Sequence, residues 1–246
     1  MGGSWAYARE MLPRRRAARV FLVGFALVAL VHLVAQLVGG EVVADVTQVL
    51  LMPLLAGVLW CETSSPRGRL VTLVLVALGL SWFGDSAPRL TSGDGSFLVM
   101  ITFFLLAQVA YITAFWPFRG RSVLHVRRPL LLVYLAVVAA LVAACAPGAG
   151  ALLLPVLVYG ACLGTMAVLS TGVNRLTAVG GALFLVSDGL IALDAFAAGF
   201  DLPAQGFWVM STYVAAQVLI VAGGLHEDAG ESLSPTSTQA DAVRSR

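Results

Sequence analysis

Two carboxylates stand where carboxylates are rare. Asp85 closes the segment Leu80-Ser81-Trp82-Phe83-Gly84-Asp85, and Asp188 lies in Phe184-Leu185-Val186-Ser187-Asp188-Gly189, both within long apolar runs. A charged side chain at bilayer depth costs at least about 2.5 kcal/mol on insertion scales, so an acid retained there tends to face the bundle interior and to mark function. Asp45 and Asp194 fall near the ends of their runs, where hydration makes a charge cheaper, and are weaker candidates. If the chain does chemistry, Asp85 and Asp188 are its catalytic candidates.

The neighbouring residues sharpen the pair. Ser81 and Asp85 are i and i+4 on one helix face, and Gly84 lets another backbone approach. Ser187 precedes Asp188, which shares its face with Phe184 and Gly181. Facing them, Gln108 and Tyr111 are i and i+3, Tyr213 and Gln217 are i and i+4, and Tyr159 and Met166 mark one face of a further run. Hydrogen bonding between helices would also explain such residues. No metal centre is expected, because His32, His125 and His226 lie on distant segments without ligand spacing. Cys61, Cys145 and Cys162 cannot form a disulfide framework and read as small buried apolar residues. His32 reads as a structural group or a proton carrier, and Arg89 as a solvated loop charge within reach of an outer phosphate.

The elements that must position these groups follow from hydropathy. The chain has 246 residues, 59% hydrophobic and 11% charged, with a net charge of +2 and a mean hydropathy of +0.92. A soluble domain is about a quarter charged, so a water-soluble globule is excluded. Disorder and an outer-membrane barrel are excluded as well, because the apolar runs are abundant and continuous. Each helical span needs about 20 apolar residues. Eight runs qualify: 19–38, 42–60, 70–87, 97–116, 129–146, 150–169, 176–196 and 206–225. The expected fold is all-α, a polytopic bundle of eight transmembrane helices. Its longest connection, 117–128, is too short to fold alone.

The arginines orient the bundle. The chain has no lysine, and with the N-terminus inside, only Arg89 of its 15 arginines falls on the outer side. The expected layout is a basic cytoplasmic segment (1–18), a membrane domain (19–225) and a disordered cytoplasmic tail (226–246), in the plasma membrane with both termini cytoplasmic. The first run is too long, and lacks a cleavage site, for a secretion signal. Spans three and seven carry the acids, and each precedes a descending span with Ala107-Gln108-Val109 or Ala216-Gln217-Val218. The pattern hints at a 4+4 internal repeat.

These residues resemble the YhhN family of eight-span membrane proteins, which includes the eukaryotic lysoplasmalogenases. The resemblance covers roughly 19–225. It rests on Ser-x-x-Gly-Asp (Ser81, Gly84, Asp85) and Leu-Phe-x-x-Ser-Asp (Leu183, Phe184, Ser187, Asp188), with Tyr111 and Phe115, Tyr159 and Met166, and Tyr213 and Gln217 in support. Two positions depart from the family pattern. Met52 replaces a lysine before Pro53-Leu54, and Gln108 stands where a histidine is frequent. The resemblance implies hydrolysis of the vinyl-ether bond of a lysoplasmalogen, giving a fatty aldehyde and a glycerophospho head group without a cofactor or metal. Protonation of the alkenyl carbon needs an acid, and the resulting oxocarbenium-like ion needs an anion or base. Asp188, the deeper of the two, is expected to be the acid and Asp85 the base or charge stabiliser. Ser81, Ser187, Gln108, Tyr111, Tyr159, Tyr213 and Gln217 are expected to support substrate and carboxylates. The expected partner is a lipid in the bilayer and no nucleic acid, with the oligomeric state open. Two other classes fit the same acids: a proton-coupled transporter, and a non-catalytic lipid-binding protein in which they only join helices.

Overall fold

The computed structural model describes residues 3–90 and 94–233, with side chains from 15–90 and 95–230. Among the described residues every regular element is helical. The long helices are α1 (Gly3–Val38), α2 (Glu41–Glu62), α3 (Arg69–Ser86), α4 (Asp94–Phe115), α5 (Arg128–Ala149), α6 (Leu153–Ser170), α7 (Arg175–Phe196) and α8 (Gln205–Leu233). Seven stretches are long and apolar enough to cross a membrane. Six of them match a single expected span each. The seventh, Arg128–Ser170, is 43 residues long. It is interrupted by the 3-10 turn Gly150–Leu152, where Gly150 has a φ of 49°, and its two parts, α5 and α6, pack on each other.

Helix ends depart from the apolar runs at both termini. Helix α1 begins at Gly3, well inside the segment read as a basic arm. Alanine and arginine are good helix formers, so the run Arg14-Arg15-Arg16-Ala17-Ala18 extends the helix without being apolar. Helix α8 continues to Leu233, so the first eight residues assigned to a disordered tail are helical. Residues 234–246 lie outside the described residues.

The polarity of the bundle is that of a lipid-facing protein. Large apolar side chains such as Val20, Leu27, Leu132, Leu135 and Leu154 are exposed, while His32, Ser81, Gln108, Ser187 and Gln217 are buried. With no water in the hydrocarbon to bond them, these polar groups must find partners between helices. Beneath the end that carries the acids lies an apolar layer, including Leu51, Leu55, Leu59, Leu78, Met166 and Ile220. Helix α5 is the most peripheral of those fully described, with only Cys145 and Ala149 buried.

Close approach of α7 and α8 fixes the height of Asp188. Asn174 caps α7 by accepting from the Thr177 N–H at 3.1 Å, and its amide donates to the Gly223 carbonyl on α8 at 2.8 Å. One turn further on, a Cβ at Gly180 would lie 2.9 Å from the Ala216 carbonyl oxygen. Gly180→Ala should therefore force the helices apart and cost about 1–3 kcal/mol. Thermal unfolding in detergent checks this, with Gly79→Ala as the comparison: nothing lies within 4 Å of a Cβ there, and its midpoint should not fall.

Candidate functional site

Asp85 is the penultimate residue of α3, and Asp188 sits past the middle of α7. Both carboxylates line one cleft of about 320 Å³, with Gln48, Arg89, Phe104, Ser187 and Tyr213 also in its wall. Each is less than a tenth exposed.

Their partners come from four different helices. The Tyr213 hydroxyl (α8) donates to Asp85 Oδ2 at 2.9 Å, and the Gln48 amide (α2) donates to Oδ1 at 3.1 Å. Asp188 Oδ2 accepts a short bond from the Tyr159 hydroxyl (α6) and a 3.5 Å contact from the Gln108 amide (α4). Both Asp85 oxygens thus have protein donors, whereas among the described residues the bonds to Asp188 fall on Oδ2 alone. The buried Gln108 amide oxygen has no hydrogen-bond partner among the described residues.

A second layer of bonds lies one turn deeper. The Tyr111 hydroxyl donates to Gln217 Oε1 at 2.5 Å, and the Gln217 amide donates to Ser81 Oγ at 3.2 Å, joining α4, α8 and α3. Phe184 packs edge-on against Tyr213, Tyr111 and Phe104, with ring centroids 5.6, 6.2 and 6.5 Å apart. Edge-to-face rings at these separations add about 0.5–1.5 kcal/mol per pair beyond their burial. The aromatic cluster floors the cleft and holds the two hydroxyl donors in place.

All nine residues singled out in the sequence therefore stand in or beside this site, with differing parts. Ser187 lines the cleft, but its hydroxyl donates to the Val209 carbonyl at 3.0 Å, a bond joining α7 to α8. Gln108, one departure from the family pattern, reaches Asp188. Met52, the other, is fully buried in the apolar core. His32 lies apart at the α1–α2 contact, where Nδ1 is 2.9 Å from Thr47 Oγ1 and 3.1 Å from the Ala44 carbonyl, and Nε2 faces the Gln36 amide. A neutral ring donating from Nδ1 satisfies both nitrogens, so His32 is a structural residue.

Arg89 corrects the reading of a solvated loop charge. It sits on the 3-10 turn Ala87–Leu90 that ends α3, and it bonds Asp45 Oδ1 at 3.0 Å, Gln48 Oε1 at 2.9 Å and the Asp85 carbonyl. The guanidinium therefore roofs Asp85 and is tied to α2. Gln48 was missed in the sequence. It met the same criterion as Gln108, a carboxamide inside an apolar run, and stands three residues from Asp45 on the same face.

Beyond Asp188 the cleft adjoins a narrow slot among α4, α5, α6 and α7. Met100, Phe104, Asp188 and Ile191 belong to both. Apart from Asp188 and Tyr159 the slot is apolar, with Val138, Leu141, Val156 and Leu163 in its wall. Among the described residues no group of three or more histidine, cysteine or acidic side chains is placed to hold a metal ion.

A helical membrane protein with two buried, hydrogen-bonded carboxylates at the junction of a polar mouth and an apolar slot is the class that fold and site define. The YhhN family model matches residues 43–224, and the chain belongs to the YhhN family. It is 33% identical over 175 residues, 70% of each chain, to lysoplasmalogenase TMEM86B of Rattus norvegicus. No solved structure matches significantly.

Gln217 is the test of the deeper layer. Replacing it with leucine would leave the Tyr111 hydroxyl and Ser81 Oγ buried without partners, at about 1–3 kcal/mol for each orphaned group. Gln217→Leu should lower the unfolding midpoint by several degrees in detergent, while Thr113→Ala, at a hydroxyl on the exposed face of α4, should leave it in place.

Proposed function

We propose that this protein is an intramembrane hydrolase that cleaves the vinyl-ether bond of lysoplasmalogen-type lipids by carboxylate acid–base catalysis. The observation that carries this reading is the junction itself: two carboxylates line one cleft, with a guanidinium at its mouth and an apolar slot beyond. A single-chain ether lipid has the same order of parts, a phosphate, a reactive bond and a hydrocarbon tail. The lysoplasmalogenase named among its relatives points the same way.

In this reading the head-group phosphate meets Arg89, the alkenyl chain enters the slot among α4 to α7, and the vinyl ether lies between Asp85 and Asp188. Asp188 protonates the alkenyl carbon from Oδ1, the oxygen without a donor among the described residues. The positive charge that develops on the ether carbon and oxygen is stabilised by Asp85, which Gln48 and Tyr213 hold in a fixed orientation. Water adds to the oxocarbenium-like carbon with a proton passing to Asp85. The resulting hemiacetal collapses as Asp85 returns its proton to the departing glycerol oxygen and Asp188 takes the hydroxyl proton, which gives the aldehyde and the free glycerol hydroxyl and restores both acids. Tyr159 and Gln108 orient Asp188. Preorganised groups of this kind stabilise charge strongly because they need not reorganise during the reaction.

The bundle is read as eight crossings. At 1.5 Å per residue an unbroken 128–170 helix would be about 64 Å long, twice the roughly 30 Å hydrocarbon core. The Gly150–Leu152 turn supports two crossings, and the arginine distribution supports cytoplasmic termini in the plasma membrane. A 4+4 repeat draws support from the hydrogen bonds. Asp85 of the first half is bonded by α2 and α8, and Asp188 of the second half by α6 and α4. Shifting each helix by four exchanges these sets.

Purified protein in detergent should release fatty aldehyde from lysoplasmenylethanolamine. Asp85→Asn and Asp188→Asn should each lower kcat at least a hundredfold, and Arg89→Gln should raise KM about tenfold, a loss of about 1.4 kcal/mol of binding. Full activity of either asparagine variant would sink the mechanism, and proton-dependent solute uptake without aldehyde would move the protein to the carriers. A reporter inserted after Gly150 should label from outside in intact cells, and one after Leu233 should not. The reverse pattern, or protection of Gly150, would overturn the topology.

A further inference from the structure

The bundle holds a larger cavity that the catalytic reading does not use. At the arginine-rich end of the molecule, opposite the carboxylate cleft, about 590 Å³ of space opens between the N-terminal ends of α5 and α7. Arg121, Arg127 and Arg175 line it, and none of the side chains in its wall is acidic. Arg121 is neutralised by Glu227 at 2.7 Å. Arg127 and Arg175 have no acidic partner among the described residues, and both belong to exposed positions.

Other arginines at this end are held differently. Arg67 lies over the Trp60 ring and bonds its carbonyl, and Arg119 bonds the Trp116 carbonyl. Arg127 and Arg175 are thus two guanidiniums without an acidic partner among the described residues that share one cavity. Helices α5 and α7 start side by side there, and the positive ends of their dipoles add to the two guanidiniums.

The same cavity becomes apolar along the helices. Leu130, Tyr134, Ala182 and Val186 line it and also line an apolar groove that continues between α5 and α7 to Leu193. From Arg175 to Val186 is 11 residues, about 16 Å of helix, or half of a hydrocarbon core of roughly 30 Å. That is the depth one leaflet's acyl chain occupies. Val179 and Val186 are both about half exposed in it.

We infer that the α5–α7 groove is a binding site for an anionic glycerophospholipid of the leaflet next to the arginine-rich loops, with its phosphate on Arg127 and Arg175 and one chain along Leu130, Val179 and Val186. Basic pockets between transmembrane helices bind anionic head groups in this way. The lipid is a bound partner of the fold and not the substrate of the carboxylate cleft, which lies at the other end of α7.

Native mass spectrometry of the full chain in detergent tests this with dioleoylphosphatidylglycerol and dioleoylphosphatidylcholine as probes. The wild type should retain one phosphatidylglycerol, at least tenfold tighter than phosphatidylcholine. Arg127→Gln with Arg175→Gln should lose at least tenfold of that affinity, and Val179→Trp, which fills the groove at an exposed position, should lose it too. Arg15→Gln with Arg16→Gln, elsewhere in the basic surface, should bind as the wild type does. Unchanged binding by the Arg127/Arg175 variant, or equal loss in the Arg15/Arg16 variant, would overturn the site. Competition by millimolar glycerol phosphate as effective as by the lipid would show a soluble anion site and overturn the lipid occupant. Unfolding midpoints without added lipid keep the comparison to folded proteins.

Discussion

The structure is organised by a single constraint: two carboxyl groups are held in a bundle whose surroundings cannot solvate them. Each buried acceptor must therefore be met by a donor from another helix. Tyr213 and Gln48 close on Asp85, Tyr159 and Gln108 on Asp188, and the four helices that supply these groups, together with α3 and α7, cannot slide past one another without leaving a charge or a dipole unpaired. The glycine contact between α7 and α8, the Asn174 cap and the edge-on rings around Phe184 all serve that alignment. Hydrogen-bonded glue and a reaction site make the same demand on these residues. What separates the two is that the carboxylates border open space, with an Asp188 oxygen that takes no bond from the described residues.

The bundle's two ends have opposite characters. At one, Arg89 pairs with Asp45 and bonds Gln48, which in turn donates to Asp85. At the other, guanidiniums outnumber acids and two of them face a cavity. The looseness of α5, which buries only Cys145 and Ala149, is what leaves both the slot beside Asp188 and the groove above Arg127 unfilled by protein.

Much of this was legible in the sequence, for a physical reason. A hydrocarbon solvent makes polar residues so expensive that those retained are nearly all structural or functional, so Asp85, Asp188, Tyr159, Tyr213 and Gln217 could be picked out from type and depth. The helix ends were less legible. Arg14 to Arg16 and the Glu227 to Glu231 region are polar, and hydropathy marks where lipid stops, not where hydrogen-bonded backbone stops. The pairing itself was beyond reach: that Tyr213 reaches Asp85 and Tyr159 reaches Asp188 depends on how helices far apart in sequence cross. Arg89 was misread because its partners, Asp45 and Gln48, lie more than 40 residues away. A loop charge and a clamped one look the same in a string of letters.

The ring cluster beneath the cleft has a consequence for the cell as well as for the fold. Acids placed inside a bilayer are a hazard to any membrane that stores energy as a proton gradient, since a wet path through them would short-circuit it. Phe184 and its neighbours, with the fully buried Leu51, Leu78, Met166 and Ile220 beyond them, put a dry plug between the carboxylates and the arginine-rich face. An apolar layer of this kind disfavours a wet path from Asp85 and Asp188 to that face.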